Sequence, residues 1–259
     1  MVFNNAINHL KLWCQNKAKK YETDSGHYGG VTRIVCNWAY ELEFKLSMLV
    51  DKSFQDTDDL KKEIWELLNV HYEPCLQAVP NTAGEHMIEK VKGEFCEYLD
   101  EIIHKNDRLT PVDIPYFRVV VGDEAEALRH KFRAIWSYVN TAYWFPLMGE
   151  EPKEISDKFF IMLDYLEPYT DELKKIIGLP EAHIYCYGEI AFRPEHCLET
   201  VELTEYGGCE TIYTDRDFSW AIYFSHEDTV AFAGSIVPKV KALLIKEEAH
   251  WNAFEWNLE

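Results

Sequence analysis

The sequence has little positive charge and no long apolar run. Its 259 residues include 26 Lys and Arg against 45 Asp and Glu, a formal net charge of -19. A field of that sign repels nucleic acid and anionic membranes and attracts basic proteins. No apolar stretch approaches the roughly 20 residues that a membrane-spanning helix needs. We therefore expect neither a nucleic-acid partner nor a membrane partner, and we expect a basic protein partner.

The sequence shows no compact cysteine framework, and its first residues do not predict a secretory leader. Residues 1–14 have no basic flank followed by an apolar core of signal-peptide length. An odd number of widely spaced cysteines does not suit a set of disulfides, so we expect a cytoplasmic protein with reduced thiols. The seven cysteines are Cys14, Cys36, Cys75, Cys96, Cys186, Cys197 and Cys209.

No nucleotide-binding fingerprint and no paired CxxC motif is present. The His and Cys residues of the C-terminal part lack the tight paired spacing of structural zinc ligands, so we predict no metal site and no cofactor. The glycine-rich residues 25–33, SGHYGGVTR, precede a predicted helix. His27, Tyr28 and Arg33 are therefore candidates to line an anion-binding pocket at the helix N terminus. The competing interpretation is an entry loop whose glycines adopt positive φ.

Helical periodicity dominates the first hundred residues. Apolar side chains recur every three or four positions in four segments, residues 3–20, 31–50, 58–72 and 85–104. The second segment is apolar on almost every side, which is typical of a helix in the middle of a bundle. We predict a helical region over residues 1–112.

Residues 113–259 have a mixed character. A strand, a tight turn and a helix are predicted after residue 115, followed by a helix that ends near Leu166 and a short helix that begins at Thr170. Four short runs rich in Tyr, Ile, Val, Thr and Trp then predict an antiparallel meander. These runs are residues 183–189, 209–215, 219–225 and 229–234.

Residues 235–256 are predicted to close the chain as a C-terminal helix. The predicted fold class is therefore α+β, with a helical N-terminal half followed by a mixed half that holds a small antiparallel sheet and the final helix. The regions 1–112 and 113–259 form either two domains or one continuous domain.

The segment FSWAIYFSHEDTVAFAG, residues 218–234, holds Ser225, His226 and Glu227 in a row. The simplest interpretation is a hairpin turn between two strands, because the members of a catalytic triad converge from separate elements. If residues 209–215 pair with residues 219–225, Cys209 and Glu210 come to the same end of the sheet as His226.

A cysteine thiol beside an imidazole can act as a nucleophile when its thiolate is stabilised. Cys209 and His226 are therefore the candidate catalytic pair, and either Glu227 or Glu210 is the candidate group that orients the imidazole. The competing interpretation is a small buried cysteine beside a surface histidine.

Tyr143, Trp144 and Phe145 stand in a row at the end of a predicted helix, where three consecutive aromatic side chains cannot all face inward. We predict that part of this group is an exposed interaction surface.

These observations support three hypotheses about function. The acidic charge and the lack of motifs favour a protein-binding protein of the immunity or antitoxin type, which neutralises a basic partner such as a toxin. The alternative is a hydrolase- or transferase-type enzyme with a Cys–His site at one end of the C-terminal sheet. A third hypothesis is a scaffold that uses residues 143–145 as its contact surface.

Overall fold

The computed structural model describes residues 1–23, 31–69, 82–137, 144–147, 155–178, 184–188, 196–198 and 210–254. The chain divides into two compact units, Met1–Ile114 and Pro115–Glu259. The first unit is helical and the second combines helices with an antiparallel sheet. The predicted α+β fold class is confirmed.

The described residues of the helical unit form four α-helices, followed by a 3-10 turn at Asn106–Arg108. The second helix contacts the first, the third and the fourth, so that most of its circumference is buried. Its prediction as a central helix is therefore confirmed. The four are α1 (Asn4–Thr23), α2 (Val31–Ser47), α3 (Thr57–Asn69) and α4 (Thr82–His104).

The core of the helical unit follows the spacing of the apolar side chains. Ile7, Leu10 and Cys14 of α1 have no exposed surface, and Phe95 and Leu99 of α4 are equally buried. Burial of one large aliphatic or aromatic side chain contributes about 1.5–3 kcal/mol. These residues therefore carry much of the stability of this unit.

The described part of the second unit is built on a sheet of seven strands. The strands are β1 (Phe117–Val119), β2 (Lys158–Met162), β3 (Ile184–Gly188), β4 (His196–Leu198), β5 (Thr211–Asp215), β6 (Trp220–Phe224) and β7 (Thr229–Gly234). Their order across the sheet is β1-β4-β3-β5-β6-β7-β2, and all neighbouring strands run antiparallel. The helices are α5 (Gly122–Trp136), α6 (Leu163–Leu166), α7 (Thr170–Ile176) and α8 (Val237–Leu243).

The four runs predicted as strands are β3, β5, β6 and β7, and they lie side by side in that order. The prediction of a helix ending near Leu166 is wrong over its first part, because Lys158–Met162 forms β2 and only Leu163–Leu166 is helical. Four of the five residues of β2 are buried, so the strand lacks the polar alternation that distinguishes a strand from a helix.

The C-terminal helix is shorter than predicted. It covers Val237–Leu243 and continues as a 3-10 helix over Ile245–His250. The chain then turns back to β2, where the Asn252 N–H donates to the Phe160 carbonyl at 2.9 Å. The Asn252 Oδ1 accepts from the Phe160 N–H at 3.1 Å. An α-helix running on to residue 256 would not allow this return.

Strand alternation separates two cores on the two faces of the sheet. One face, with Phe159, Ile222 and Phe232, packs with side chains of α7 and α8. The other face carries small residues of β6 and β7, and large side chains of α5 fill the space above them. This second core includes Phe132, Trp136, Trp144, Ala221, Tyr223, Ala231 and Ala233.

Candidate acid–base site at the end of the sheet

The stretch between β6 and β7 is a hairpin turn formed by His226, Glu227 and Asp228. The Ser225 N–H donates to the Thr229 carbonyl at 3.0 Å, and Asp228 adopts a left-handed φ of 52°. A left-handed third residue is typical of three-residue hairpin loops. The predicted hairpin turn is confirmed.

The Ser225 hydroxyl stabilises this turn. Its Oγ accepts from the N–H of Glu227 at 3.2 Å and from the N–H of Thr229 at 3.3 Å. It also lies 2.8 Å from the Thr229 hydroxyl. Ser225 is buried and engaged in the turn, which leaves its neighbours His226 and Glu227 as the candidate groups for chemistry at this site.

The register of β5 and β6 explains how Glu210 reaches the turn. Thr211 pairs with Phe224, which sets Glu210 beside Ser225. Tyr223 then occupies the diagonal position on the same face of the sheet, a separation of about 7–8 Å that long and aromatic side chains can bridge. Accordingly, the Tyr223 hydroxyl donates to Glu210 Oε2.

His226 makes two contacts with the same carboxylate. Its Nδ1 lies against Glu210 Oε1, and its backbone N–H donates to that oxygen at 3.2 Å. Glu210 is 5% exposed, so three contacts satisfy a carboxylate that is almost completely removed from water.

Burial raises the pKa of the Glu210 carboxyl, and the hydrogen bonds from His226 act in the opposite direction. The hydrogen bond to Glu210 raises the pKa of His226, and the charge of Glu227 adds to this effect. Both shifts favour the protonated form of each group. The pair therefore retains a proton to a higher pH than either side chain would in water.

The other nitrogen of the imidazole lies beside a second carboxylate. His226 Nε2 lies 3.1 Å from Glu227 Oε1, and the histidine side chain is 36% exposed. A partly exposed imidazole that is held by carboxylates at both nitrogens can accept or donate a proton. The geometry is therefore suited to general acid–base chemistry.

The structure places both candidate orienting groups within reach of His226, with Glu210 at Nδ1 and Glu227 at Nε2. Cys209 lies outside the described residues, so its contact with His226 stays a prediction. Sequence reasoning missed the contact between Tyr223 and Glu210, because the alternation of side chains along β6 indicated only that Tyr223 occupies a buried strand position. The signal for Tyr223 was available in the register, which makes it the diagonal neighbour of Glu210.

Two of the three consecutive aromatic residues, Trp144 and Phe145, are buried. Trp144 has no exposed area and Phe145 is 8% exposed, so the interpretation of these two as an interaction patch is wrong. The Trp144 Nε1–H donates to the Trp136 carbonyl at 2.6 Å, which lets the indole enter the core. Its ring meets Tyr223 edge-on at 5.8 Å. Tyr143 lies outside the described residues.

Of the residues predicted for an anion pocket, Arg33 is exposed in the first turn of α2. His27 and Tyr28 lie outside the described residues. The anion pocket therefore stays a prediction.

A second ionisable group is buried between α1 and α2. Lys11 is 1% exposed, and burial lowers its pKa to about 8, with the charge of Glu43 acting in the opposite direction. Burial also raises the pKa of Glu43, whose Oε1 accepts from Gln15 Nε2 at 2.6 Å. Cys14 beside them is fully buried, and burial raises the pKa of its thiol well above the usual range. Lys11 and Cys14 of this cluster are buried, whereas Gln15 and Glu43 are half-buried.

Within the described ranges, no three His, Cys, Asp or Glu side chains are grouped so that they could hold a metal ion. The free thiols there include Cys14, Cys36, Cys96 and Cys186. None of the described helices is both long enough and apolar enough to cross a membrane.

No protein-family model, curated protein or solved structure matches this chain. Function is therefore argued from the chemistry of its surface and of the site at His226.

Proposed function

We propose that this chain is an acidic protein-binding protein of the immunity or antitoxin type, which neutralises a basic protein partner such as a toxin. The observation that carries the proposal is the uneven distribution of charge. The unit Pro115–Glu259 contains 26 acidic and 13 basic residues, a formal net charge of -13. The unit Met1–Ile114 contains 19 acidic and 13 basic residues, a formal net charge of -6.

A concentrated negative charge accelerates the capture of a basic protein. Electrostatic steering raises association rates by roughly 10- to 1000-fold, and the effect falls steeply as salt is added. Rapid capture is what a neutralising protein requires, because an unbound toxin acts during the delay. The proposal therefore places the binding surface on the sheet-containing unit.

The surface pairing of charges supports this choice of unit. In the helical unit, several carboxylates lie against lysines, including Glu94 with Lys17 and Asp100 with Lys61. Such pairs reduce the charge that a partner meets at short range. The sheet unit presents exposed carboxylates on several elements, among them Asp123, Asp164, Asp171, Glu172 and Asp217.

Affinity capture with charge variants tests the proposal. The tagged chain is incubated with lysate of its own cells at low salt and washed at high salt, and the eluate is identified by mass spectrometry. We expect a basic protein that high salt releases. The double variant Glu172→Lys/Asp217→Lys should lose this partner, while Glu66→Lys/Glu97→Lys on the helical unit changes the total charge equally and should retain it.

Two outcomes would contradict the proposal. One is an eluate at low salt with nothing above the background of an untagged control. The other is an equal loss of the partner in both double variants, since this would show that overall charge matters and the sheet unit does not.

The second candidate function is a hydrolase- or transferase-type enzyme, favoured by the imidazole of His226 with Glu210 behind it. In this proposal Cys209 supplies the nucleophile and His226 removes its proton. Alkylation by iodoacetamide at pH 7, read peptide by peptide, should then modify Cys209 faster than half-buried Cys96. The variant His226→Gln should slow Cys209 and leave Cys96 unchanged; equal rates for the two thiols would exclude Cys209 as an activated nucleophile.

A further inference from the structure

A groove on the helical unit combines aromatic walls with a basic rim. It has a volume of about 280 Å³ and lies between α1 and α4. The rings of Trp13 and Tyr98 are stacked there, with centroids 6.4 Å apart and planes inclined by 21°. The lining consists of Leu12, Trp13, Asn16, Lys17, Lys20 and Tyr98.

The sequence of α1 builds this groove beside the core. Leu12, Trp13, Asn16, Lys17 and Lys20 recur at intervals of three and four, so they form one stripe along the helix. The neighbouring stripe, which includes Leu10, Cys14 and Ala18, is fully buried. Trp13 and Leu12 are only half-buried, so their apolar surface remains accessible at the groove.

The charge at the rim is opposite in sign to that of the chain as a whole. Lys17 Nζ lies 4.9 Å from the centroid of the Trp13 ring and contacts Glu94. The hydrogen bond from Lys17 lowers the pKa of Glu94, and the charges of Lys90 and Lys20 act in the same direction. Lys17 and Lys20 both line the groove, so two ammonium groups stand at its rim on a chain of net charge -19.

We propose that this groove binds a planar aromatic anion, with its ring against Trp13 and Tyr98 and its anionic group near Lys17 and Lys20. Aromatic side chains stack on planar rings, and ammonium groups attract a carboxylate, sulfonate or phosphate. The groove is at the lower limit of ligand pockets, which span about 300–1,000 Å³, so it suits a molecule of one or two rings. This site is independent of the proposed basic partner.

Three probes separate the ring from the charge. Naphthalene-2-sulfonate has both, 2-naphthalenemethanol has the ring alone, and methanesulfonate has the charge alone. Each is titrated into the full chain while tryptophan indole N–H resonances are followed by NMR. We expect saturable one-to-one binding of naphthalene-2-sulfonate, at least tenfold tighter than either partial probe. Absence of saturation, or equal binding of a partial probe, would overturn the proposal.

Two adjacent lysines supply a matched pair of variants. Lys19 and Lys20 are both exposed on α1, but only Lys20 lines the groove. Lys20→Gln should weaken the binding of naphthalene-2-sulfonate by about three- to fivefold, the effect of one exposed charge contact, and Lys19→Gln should leave it unchanged. Neither change removes a core contact, so folding is retained. An equal effect of the two variants would also overturn the proposal.

Discussion

Each unit of this protein buries one charged side chain among its described residues, a cation in the helical unit and an anion in the sheet unit. Lys11 is 1% exposed and Glu210 is 5% exposed. Burial lowers the pKa of Lys11 to about 8 and raises the pKa of Glu210, so both shifts point toward the neutral form. The difference lies in the partners, because Glu210 is bound to a histidine that reaches solvent and Lys11 is enclosed by helices.

This difference in partners decides which buried charge can take part in chemistry. A proton can pass between Glu210 and the solvent through the exposed ring of His226, whereas Lys11 lies beside the fully buried Cys14 and the half-buried Glu43. Burial thus shifts the pKa of a lysine inside the helical unit and that of a carboxyl at a candidate acid–base site in the other unit.

Two glycines, one in each unit, differ in how closely other atoms approach their Cα, and this contrast gives the largest expected effect. At Gly234, with φ of +75°, an added Cβ would lie 2.5 Å from the Ser219 carbonyl and 2.9 Å from Trp136 Cη2. Gly234→Ala should destabilise the sheet unit by about 3 kcal/mol or more. Gly93 of α4 has no atom within 4 Å of such a Cβ, so Gly93→Ala should stabilise the helical unit by about 0.5–1 kcal/mol.

Urea denaturation combined with hydrogen exchange measures both glycine variants and assigns each change to a unit. A stable Gly234→Ala variant with native exchange rates would contradict the close contact with Trp136 and Ser219.

The next largest expected effect is a rise in the free energy of unfolding at alkaline pH, which follows from the burial of Lys11. Because the folded-state pKa is about 8 and the ordinary value is 10.5, the folded chain binds fewer protons between these values. The contribution of Lys11 to the free energy of unfolding should therefore rise with pH across that interval, by up to about 3 kcal/mol.

Lys11→Met is the control for this prediction, since it removes the titrating group and keeps the apolar stem. We expect the variant to be more stable than the native chain at pH 7, and the difference should shrink as the pH rises toward 10. Parallel pH profiles of the two proteins in urea denaturation would show that Lys11 is not desolvated.

A smaller loss of stability is expected when the buried carboxylate of the sheet unit is removed. Glu210→Leu leaves the Tyr223 hydroxyl buried without its partner, which should cost about 1–3 kcal/mol. The double variant Glu210→Leu/Tyr223→Phe removes both polar groups and should recover part of that loss. If the double variant is less stable than the sum of the two single changes, the hydrogen bond between Tyr223 and Glu210 does not explain the cost.

The smallest expected effect is the raised pKa of His226. NMR titration of its ring protons should give a pKa above the ordinary value near 6.5, and Glu210→Gln should lower it. Because the pKa is raised in the folded state, the stability from this contact is complete below the unfolded pKa and is lost as the pH rises through the folded one. Glu227→Gln, which removes the contact at the other nitrogen, should change the pKa less. If the pKa of His226 in the native protein lies at or below the ordinary value, the contact with Glu210 does not raise it, and the contrast with the lowered pKa of Lys11 is lost.

Much of this fold follows from the period of the apolar pattern. The strands β3, β5, β6 and β7 are rich in β-branched and aromatic residues and are separated by turns, so the pattern identifies them. Strand β2 was predicted as part of a helix because the run Lys158–Met162 is apolar almost throughout. Only its pairing with β7 makes it a strand. Three-residue β4, at His196–Leu198, is too short to show any period.

The site could be predicted in part. Hairpin pairing of β5 with β6 brings Glu210 next to His226, and that pairing followed from two adjacent strand signals. The role of Tyr223 did not follow, because a tyrosine in a buried strand serves equally well as core. The burial of Trp144 likewise depended on a hydrogen bond to the Trp136 carbonyl, which no local pattern reveals.

The return of the chain at Asn252 has a consequence for aggregation. Strand β2 is an edge of the sheet, and an edge strand is a template onto which another chain can add. At Phe160 both outward-facing backbone groups are already taken by Asn252, one by its main chain and one by its side chain. A single asparagine thus makes the two backbone contacts that a neighbouring strand would make at Phe160, and Lys158 places a charge on the same edge. The last turn of the described chain therefore limits edge-to-edge association, a protection that a sheet this rich in aromatic residues requires.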